Sequence, residues 1–263
     1  MRFMMLMIPD VYQKPGPAPA LPDPRAIAEM GVFNEGYAAT SGSAWMRSEL
    51  CDEALRLGRV LAELASAEPE VHGLVALMEL QSSRFRARVR ADGQPVLLLE
   101  QNRALWDPLL IRRGLAAIDR ASGLGGDRGN YTLQASIAAC HDRAPSADEP
   151  DWEEISALYA QLGRIAPSPV VELNRAVAVS MAFGAQAGLD ILDLVADDPV
   201  LRKNHYLPSV RGDLLFKLGS LEAARAEFER AARMTRNERE RELLLARAQT
   251  CVSPDEWLPD SPR

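Results

Sequence analysis

The chain has 263 residues, is 47% hydrophobic and 25% charged, and carries a net charge of −7. A chain of this length buries roughly three quarters of its unfolded surface in one or two domains, and this composition excludes intrinsic disorder. The acidic balance also argues against nucleic acid as the main partner, because neutralising phosphates needs a concentrated basic surface. All but three of the 30 basic residues are arginine (the lysines are Lys14, Lys203 and Lys217), which reads as the bias of a GC-rich genome.

From the N-terminus, the apolar run over residues 2–8 predicts a short strand, too short for a signal sequence or a membrane span. No other apolar run approaches a spanning length, so a cytoplasmic protein with no membrane partner is expected. Prolines 9, 15, 17, 19, 22 and 24 mark a loop. A helix follows, with Asp23 as its N-cap and Pro24 in its first turn. Leu50, Ala54, Leu57, Leu61 and Leu64 fall at helical spacing and predict an amphipathic helix. Val71, Leu74, Val75, Leu77, Met78 and Leu80 predict a second helix, apolar on most sides and hence central.

Residues 85–100 alternate around Asp92-Gly93, which predicts a small β-hairpin on an otherwise helical body. On that reading Arg84, Arg86, Arg88 and Arg90 share one face. They form either a solvated edge that discourages strand aggregation or a secondary surface for an acidic partner. Helices resume at Leu109–Ile118. The Gly123-Leu-Gly-Gly126 run lacks the preceding strand and the Lys-Ser/Thr of a phosphate loop, so it reads as a helix-ending turn. Tyr131–His141 predicts a further helix, and Asp151 with Glu154 three residues on marks the start of the next.

The last third repeats at a spacing of 36 residues. Gly212, Leu215, Ala224, Phe228 and Ala231 stand where a tetratricopeptide-type unit has its signature residues, and Ala176, Val179, Gly188, Leu192 and Val195 occupy the same places one unit earlier. One unit before that, Ile155, Tyr159 and Leu162 match the second helix. Small residues let the helices of a pair approach, while bulky ones plug the next pair. Each unit leaves a face uncovered, so units must stack. The fold class expected is all-α: a tetratricopeptide-like α-solenoid of stacked helical pairs.

Chemistry-bearing residues do not converge. Cys51, Cys140 and Cys251 lie far apart without a CxxC motif, and His72, His141 and His205 share no ligand spacing, so neither a metal, a cofactor nor a disulfide framework is expected. Cys140 and His141 are adjacent, but successive helix residues point about 100° apart, which prevents a nucleophile pair. No catalytic residue is assigned, and a non-enzymatic module is expected. The solenoid's concave face would be lined by the first helix of each pair. Its candidate partner-binding residues are Asn174, Arg175, Tyr206, Arg211 and Gln134, a set suited to an extended acidic segment or a chain terminus. Asn174 and Arg175 could instead bond neighbouring helices.

Several motifs support a resemblance. Phe33-Asn-Glu-Gly-Tyr37, Ala76-Leu-Met-Glu-Leu80, Glu100-Gln-Asn-Arg103 with Trp106-Asp107, Tyr131-Thr-Leu-Gln-Ala135, Pro167-Ser-Pro-Val-Val-Glu-Leu-Asn-Arg175 and His205-Tyr-Leu-Pro208 resemble the C-terminal helical extension of one group of extracytoplasmic-function RNA polymerase sigma factors. The resemblance implies a regulatory module whose partner is the sigma domains or RNA polymerase, without promoter reading of its own. Asn102 stands where that family usually has Asp, which would remove any ion pair the carboxylate makes. Residues 1–33 resemble the opening of a YCII-related (DGPF-type) protein, which implies a fusion across Phe33-Asn34-Glu35. The expected domains are then a strand-loop-helix remnant at 1–33, a helical-repeat domain at 34–252 and a flexible tail at 253–263. The remnant is too short to retain that family's active site. Its strand would pair with the hairpin, stay disordered, or pair with a second copy in a homodimer. The alternative readings are a vestigial fusion product without a partner and a YCII-like small-molecule enzyme fragment.

Overall fold

The computed structural model describes residues 24–37, 48–90, 93, 95–146 and 149–251. The strand expected over 2–8, the dimer contact through it and the tail at 253–263 lie outside these. Among the described residues run α1 (Pro24–Tyr37), α2 (Ser48–Leu64), α3 (Pro69–Ser82), α4 (Pro108–Gly123), α5 (Asn130–Arg143) and α6 (Trp152–Ile165). They continue with α7 (Pro169–Phe183), α8 (Ala185–Val195), α9 (Tyr206–Lys217), α10 (Leu221–Met234) and α11 (Glu238–Thr250). Each helix packs on the next in the chain, and α3 also packs on α5. The fold is an all-α stack of helical pairs. The junction triplet Phe33-Asn34-Glu35 lies within the single helix α1, where Phe33 is fully buried.

The repeat logic is visible at atomic distances. Gly188 of α8 lies so close to α7 that a Cβ there would stand 2.7 Å from the Ala176 carbonyl oxygen and 2.5 Å from the Ser180 Cβ. In the next pair, a Cβ on Gly212 would stand 2.9 Å from the Phe228 ring. The turns joining the pairs run through Gly184 (φ 98°) and Gly219 (φ 78°), a left-handed backbone that glycine adopts without a Cβ clash. The bulky positions do plug the following pair. Leu192 packs with Leu207, Val210 and Leu214 of α9, while Phe228 packs with Leu244 and Ala248 of α11.

The first half is less regular. Helix α3 is buried along nearly its whole length, as its sequence predicts. Helix α5 is shared between two cores. Leu133, Ile137 and Cys140 enter the core of α6 to α9, and Tyr131, Ala135, Ala138 and Ala139 enter that of α1 to α3. The buried stripe of α2 is Cys51, Ala54, Leu55, Gly58 and Leu61. Leu57 and Leu64, expected in that stripe, are instead exposed. The buried face of the helix is thus shifted by about one residue from the expected stripe, taking in Cys51, Leu55 and Gly58 in place of Leu57 and Leu64.

The start expected at Asp151 and the stop expected at Gly123–Gly126 are found where the sequence places them, whereas Asp23, expected to cap α1, lies outside the described residues. Asp107 accepts from the Leu109 and Leu110 amides at 2.8 and 3.2 Å, and Asp151 from the Glu154 amide at 2.8 Å. The Gly123–Gly126 run is a helix-ending turn, with the Gly126 amide donating to the Ala121 carbonyl at 2.9 Å. The hairpin expected over 85–100 is reduced to one antiparallel bridge between Val89 and Pro95, turning at Gly93 (φ 82°). Phe85–Ala87 form a 3-10 turn instead. Pro95 lacks the amide that a longer ladder would need.

Candidate functional site

The residues expected to line the inner wall sit on the first helices of successive pairs. Gln134 is on α5, Asn174 and Arg175 on α7, and Tyr206 and Arg211 on α9. Helix α7 also touches α9 directly, across the pair boundary. The five residues differ in accessibility. Asn174 and Gln134 are buried, and the Gln134 amide donates to Asn130 Oδ1 at 3.1 Å. Arg175, Tyr206 and Arg211 are half-buried. The Arg175 guanidinium pairs with Glu172 one turn earlier on the same helix, at 2.7 Å. Arg211 reaches back to Asp193 of α8 at 2.6 Å, and the Tyr206 ring lies 4.0 Å from that of His205. His205 Nε2 in turn lies 2.9 Å from the Glu240 carboxylate, which brings the start of α9 against α11.

The arginines of 84–90 do not form one face. The 3-10 turn replaces period two, so Arg86 and Arg90 are exposed while Arg84 and Arg88 are buried. Arg84 makes a two-toothed ion pair with Asp142 of α5 at 2.8 and 3.0 Å, and donates to the Ala138 carbonyl at 2.9 Å. The Arg88 guanidinium carbon lies 3.3 Å from the centre of the Tyr37 ring. Only Arg86 and Arg90 of the four remain as an outward basic surface.

Arg84 belongs to a cluster that sequence reasoning did not assemble. Arg103 donates to the His141 carbonyl at 2.7 Å and the Ala144 carbonyl at 2.9 Å, so Arg84 and Arg103 both place positive charge on backbone carbonyls near the C-terminal end of α5. The Trp106 ring lies between their guanidinium groups, at 4.9 Å from Arg84 and 4.5 Å from Arg103. Asn102 caps the short turn at 103–105 by accepting from the Ala104 amide at 3.0 Å, a role its amide oxygen fills as well as a carboxylate would. The Glu100–Asp107 motif is thus a clip that fastens the 84–107 segment to α5. Its signal in the sequence was the dense polar-aromatic run, but its target on α5 lies some three dozen residues on.

Reactive chemistry is muted. Burial pushes the Cys51 and Cys140 thiols up to about 12, so both stay protonated at neutral pH. His141 is fully buried, and burial, with the Arg84 and Arg103 charges, holds its ring well below the usual histidine range. Its ring meets Trp152 edge-on at 5.3 Å. Among the described residues no group of three or more His, Cys, Asp or Glu could hold a metal ion. No helix among them is long and apolar enough to cross a membrane.

Residues 28–122 match a family of unknown function, DUF6596. The chain is also similar to an uncharacterized protein of Rhizobium meliloti (strain 1021), 47% identical over 206 residues, which cover 78% of this chain and 48% of the relative. The chain therefore spans about half the length of the curated relative it matches. No solved structure matches.

Proposed function

We propose that this chain is a non-enzymatic helical-repeat module that grips another protein, and that it acts in regulation as the C-terminal extension of a sigma factor would. The observation supporting it most is the contact between α7 and α9, first helices of successive pairs, which carry the partly exposed Arg175, Tyr206 and Arg211. Both arginines are held by single, partly exposed carboxylates, Glu172 and Asp193, which an incoming acidic segment can displace at little cost. The favoured partners are the promoter-binding sigma domains or RNA polymerase, on the sequence motifs quoted above. The Rhizobium relative, about half of which lies outside the match, has room for such domains in the same chain.

The test is retention of core RNA polymerase, and separately of isolated extracytoplasmic-function sigma domains, on the immobilised chain. Wild type is expected to retain one of them, and the Arg175→Ala/Arg211→Ala variant to lose it without a change in melting temperature. A wild-type chain that retains neither overturns the reading.

A further inference from the structure

The two ends of the described stack are finished differently. An end helix has no neighbour on its outer side, and repeat proteins close that side with a polar face. Helix α11 follows the rule: among the described residues Leu245 is its one large exposed apolar side chain, set among the exposed Glu238, Arg241 and Glu242. Helix α2, in the first pair, does not. Leu57, Val60 and Leu64 stand at i, i+3 and i+7 and make an outward apolar stripe, with Leu64 77% exposed. Single exposed leucines are ordinary, but three apolar side chains in line on one helix mark a surface that is covered by something else.

The geometry of the first pair says what lies within reach. The Cys51 thiol, near the start of α2, donates to the Phe33 carbonyl, near the end of α1, at 3.4 Å. The two packed helices therefore run antiparallel, since a parallel pair would leave most of α2 with nothing of α1 beside it. From Phe33 back to Pro24 is nine residues, and from Cys51 on to Val60 is also nine, so the start of α1 lies beside the middle of the stripe. Whatever precedes Pro24 leaves the fold there. Ahead of it in the sequence stand the proline-rich residues 9–23 and then Phe3, Met4, Met5, Leu6, Met7 and Ile8, six apolar residues in a row outside the described residues. Fifteen residues of proline-rich chain reach at most about 45 Å, against the roughly 10 Å that the stripe spans.

We propose that residues 3–8 dock on the Leu57–Val60–Leu64 stripe of α2 and close the first end of the stack, an intramolecular cap held by the 9–23 tether. The β partner that the sequence suggests for this run is not there: the 85–100 region offers a single Val89–Pro95 bridge, too short an edge to extend. The size of the stripe favours a tethered occupant over a free one. Three side chains on one helix bury far less than the roughly 1,200 Å² of a stable association between separate molecules. A segment tethered by a short linker instead binds at an effective concentration on the order of millimolar. Its three methionines are flexible enough to fit an irregular apolar surface. Charge agrees, because Arg2 precedes the run while exposed Glu63 and Glu68 flank Leu64. The cap lies on α2 and is independent of the partner proposed for α7 and α9.

The test is disulfide trapping in the full chain. Leu6→Cys is combined with Val60→Cys, or in a control with Ser48→Cys, an exposed position on the same helix about 180° round from Leu57. The native Cys51, Cys140 and Cys251 are buried, which keeps background reaction low. Under mild oxidation the Val60 pair is expected to form a disulfide within one chain at least about tenfold faster than the control. A disulfide joining two chains would give the stripe to a second copy, and equal rates in the two pairs would leave residues 3–8 without a fixed seat. Either result overturns the cap. Thermal unfolding gives an independent reading: Leu6→Asp is expected to lower the melting temperature by about 2–4 °C in the wild-type background and by much less when Val60→Asp is already present. An equal loss in both backgrounds, or none in either, also overturns it.

Discussion

The two halves of the stack solve one packing problem by different means. From α6 to α11 the pairs repeat, and the same small and large positions set each contact. From α1 to α5 no repeat is legible, and the parts are joined by close glycine contacts and by buried charge. A Cβ on Gly73 of α3 would stand 2.7 Å from the Thr132 amide nitrogen, and one on Gly114 of α4 2.6 Å from Leu80. The Arg84–Asp142 pair then locks the segment just after α3 to α5, with both side chains almost fully buried. Contacts within the repeat are fixed mainly by apolar and small residues because each pair offers the next the same surface, and a buried ion pair, Asp213 with Arg247, is added where α9 meets α11 at the end of the stack. A junction between unlike surfaces has no such template, and directional hydrogen bonds fix its register.

The sharpest way to break this contrast is to remove one member of the buried pair. Arg84→Ala leaves the Asp142 carboxylate unpaired in the interior and is expected to cost about 3–5 kcal/mol by denaturant unfolding. Replacing both partners with apolar residues, Arg84→Met with Asp142→Leu, is expected to recover most of that loss. If the double variant is as unstable as the single one, directional bonding rather than charge neutrality holds the junction.

Next in size are the glycine contacts, one from each half. Gly188→Val drives a side chain into the Ala176 carbonyl, and Gly73→Val into the Thr132 backbone. Each is expected to cost about 1–3 kcal/mol, or more where backbone must move. Comparable losses would show that close approach matters equally in both halves. A loss confined to Gly188 would mean that the first half can adjust its helices while the repeat cannot.

These contacts also mark how far the sequence could be read. The C-terminal pairs were legible because spacing and small residues recur, so Gly188 and Gly212 fall where the repeat puts them. The central helix α3 was legible from its composition. The rotation of α2 was not, because hydrophobicity points to Leu57 and Leu64 whereas the face buried in the fold carries Cys51, Leu55 and Gly58. Arg84 and Arg88 were misplaced for a related reason. Alternating residues suit a strand, but the 3-10 turn changes the period and carries two of four arginines inside. The Arg103–Trp106–His141 grouping depends on a fold-level meeting of α5 with a loop, and no local pattern encodes it.

A pH series sharpens the comparison at intermediate size. His141 is neutral in the folded chain and well below its usual titration range. Below about pH 6.5 the unfolded chain takes up a proton on this ring that the folded chain refuses, so stability falls as acid is added. The slope from this group approaches about 1.4 kcal/mol per pH unit. In His141→Phe, which retains an aromatic ring against Trp152, that slope between about pH 6.5 and 5.5 is expected to flatten. An unchanged slope would mean that the ring is solvated in solution.

The smallest stability effect is the most useful for function. Arg211 meets Asp193 in an ion pair whose carboxylate is 63% exposed, so solvent screens it strongly. Arg211→Ala is expected to change stability by under about 1 kcal/mol, in contrast with Arg84→Ala. An arginine that contributes so little to its own fold is free to exchange Asp193 for a carboxylate on another protein. Unaltered unfolding together with weakened partner retention would separate a binding role from a packing role. If Arg211→Ala instead destabilises the chain as much as the buried pair does, the α8–α9 contact depends on charge too. The division between an apolar repeat and a polar junction would then fail at that point.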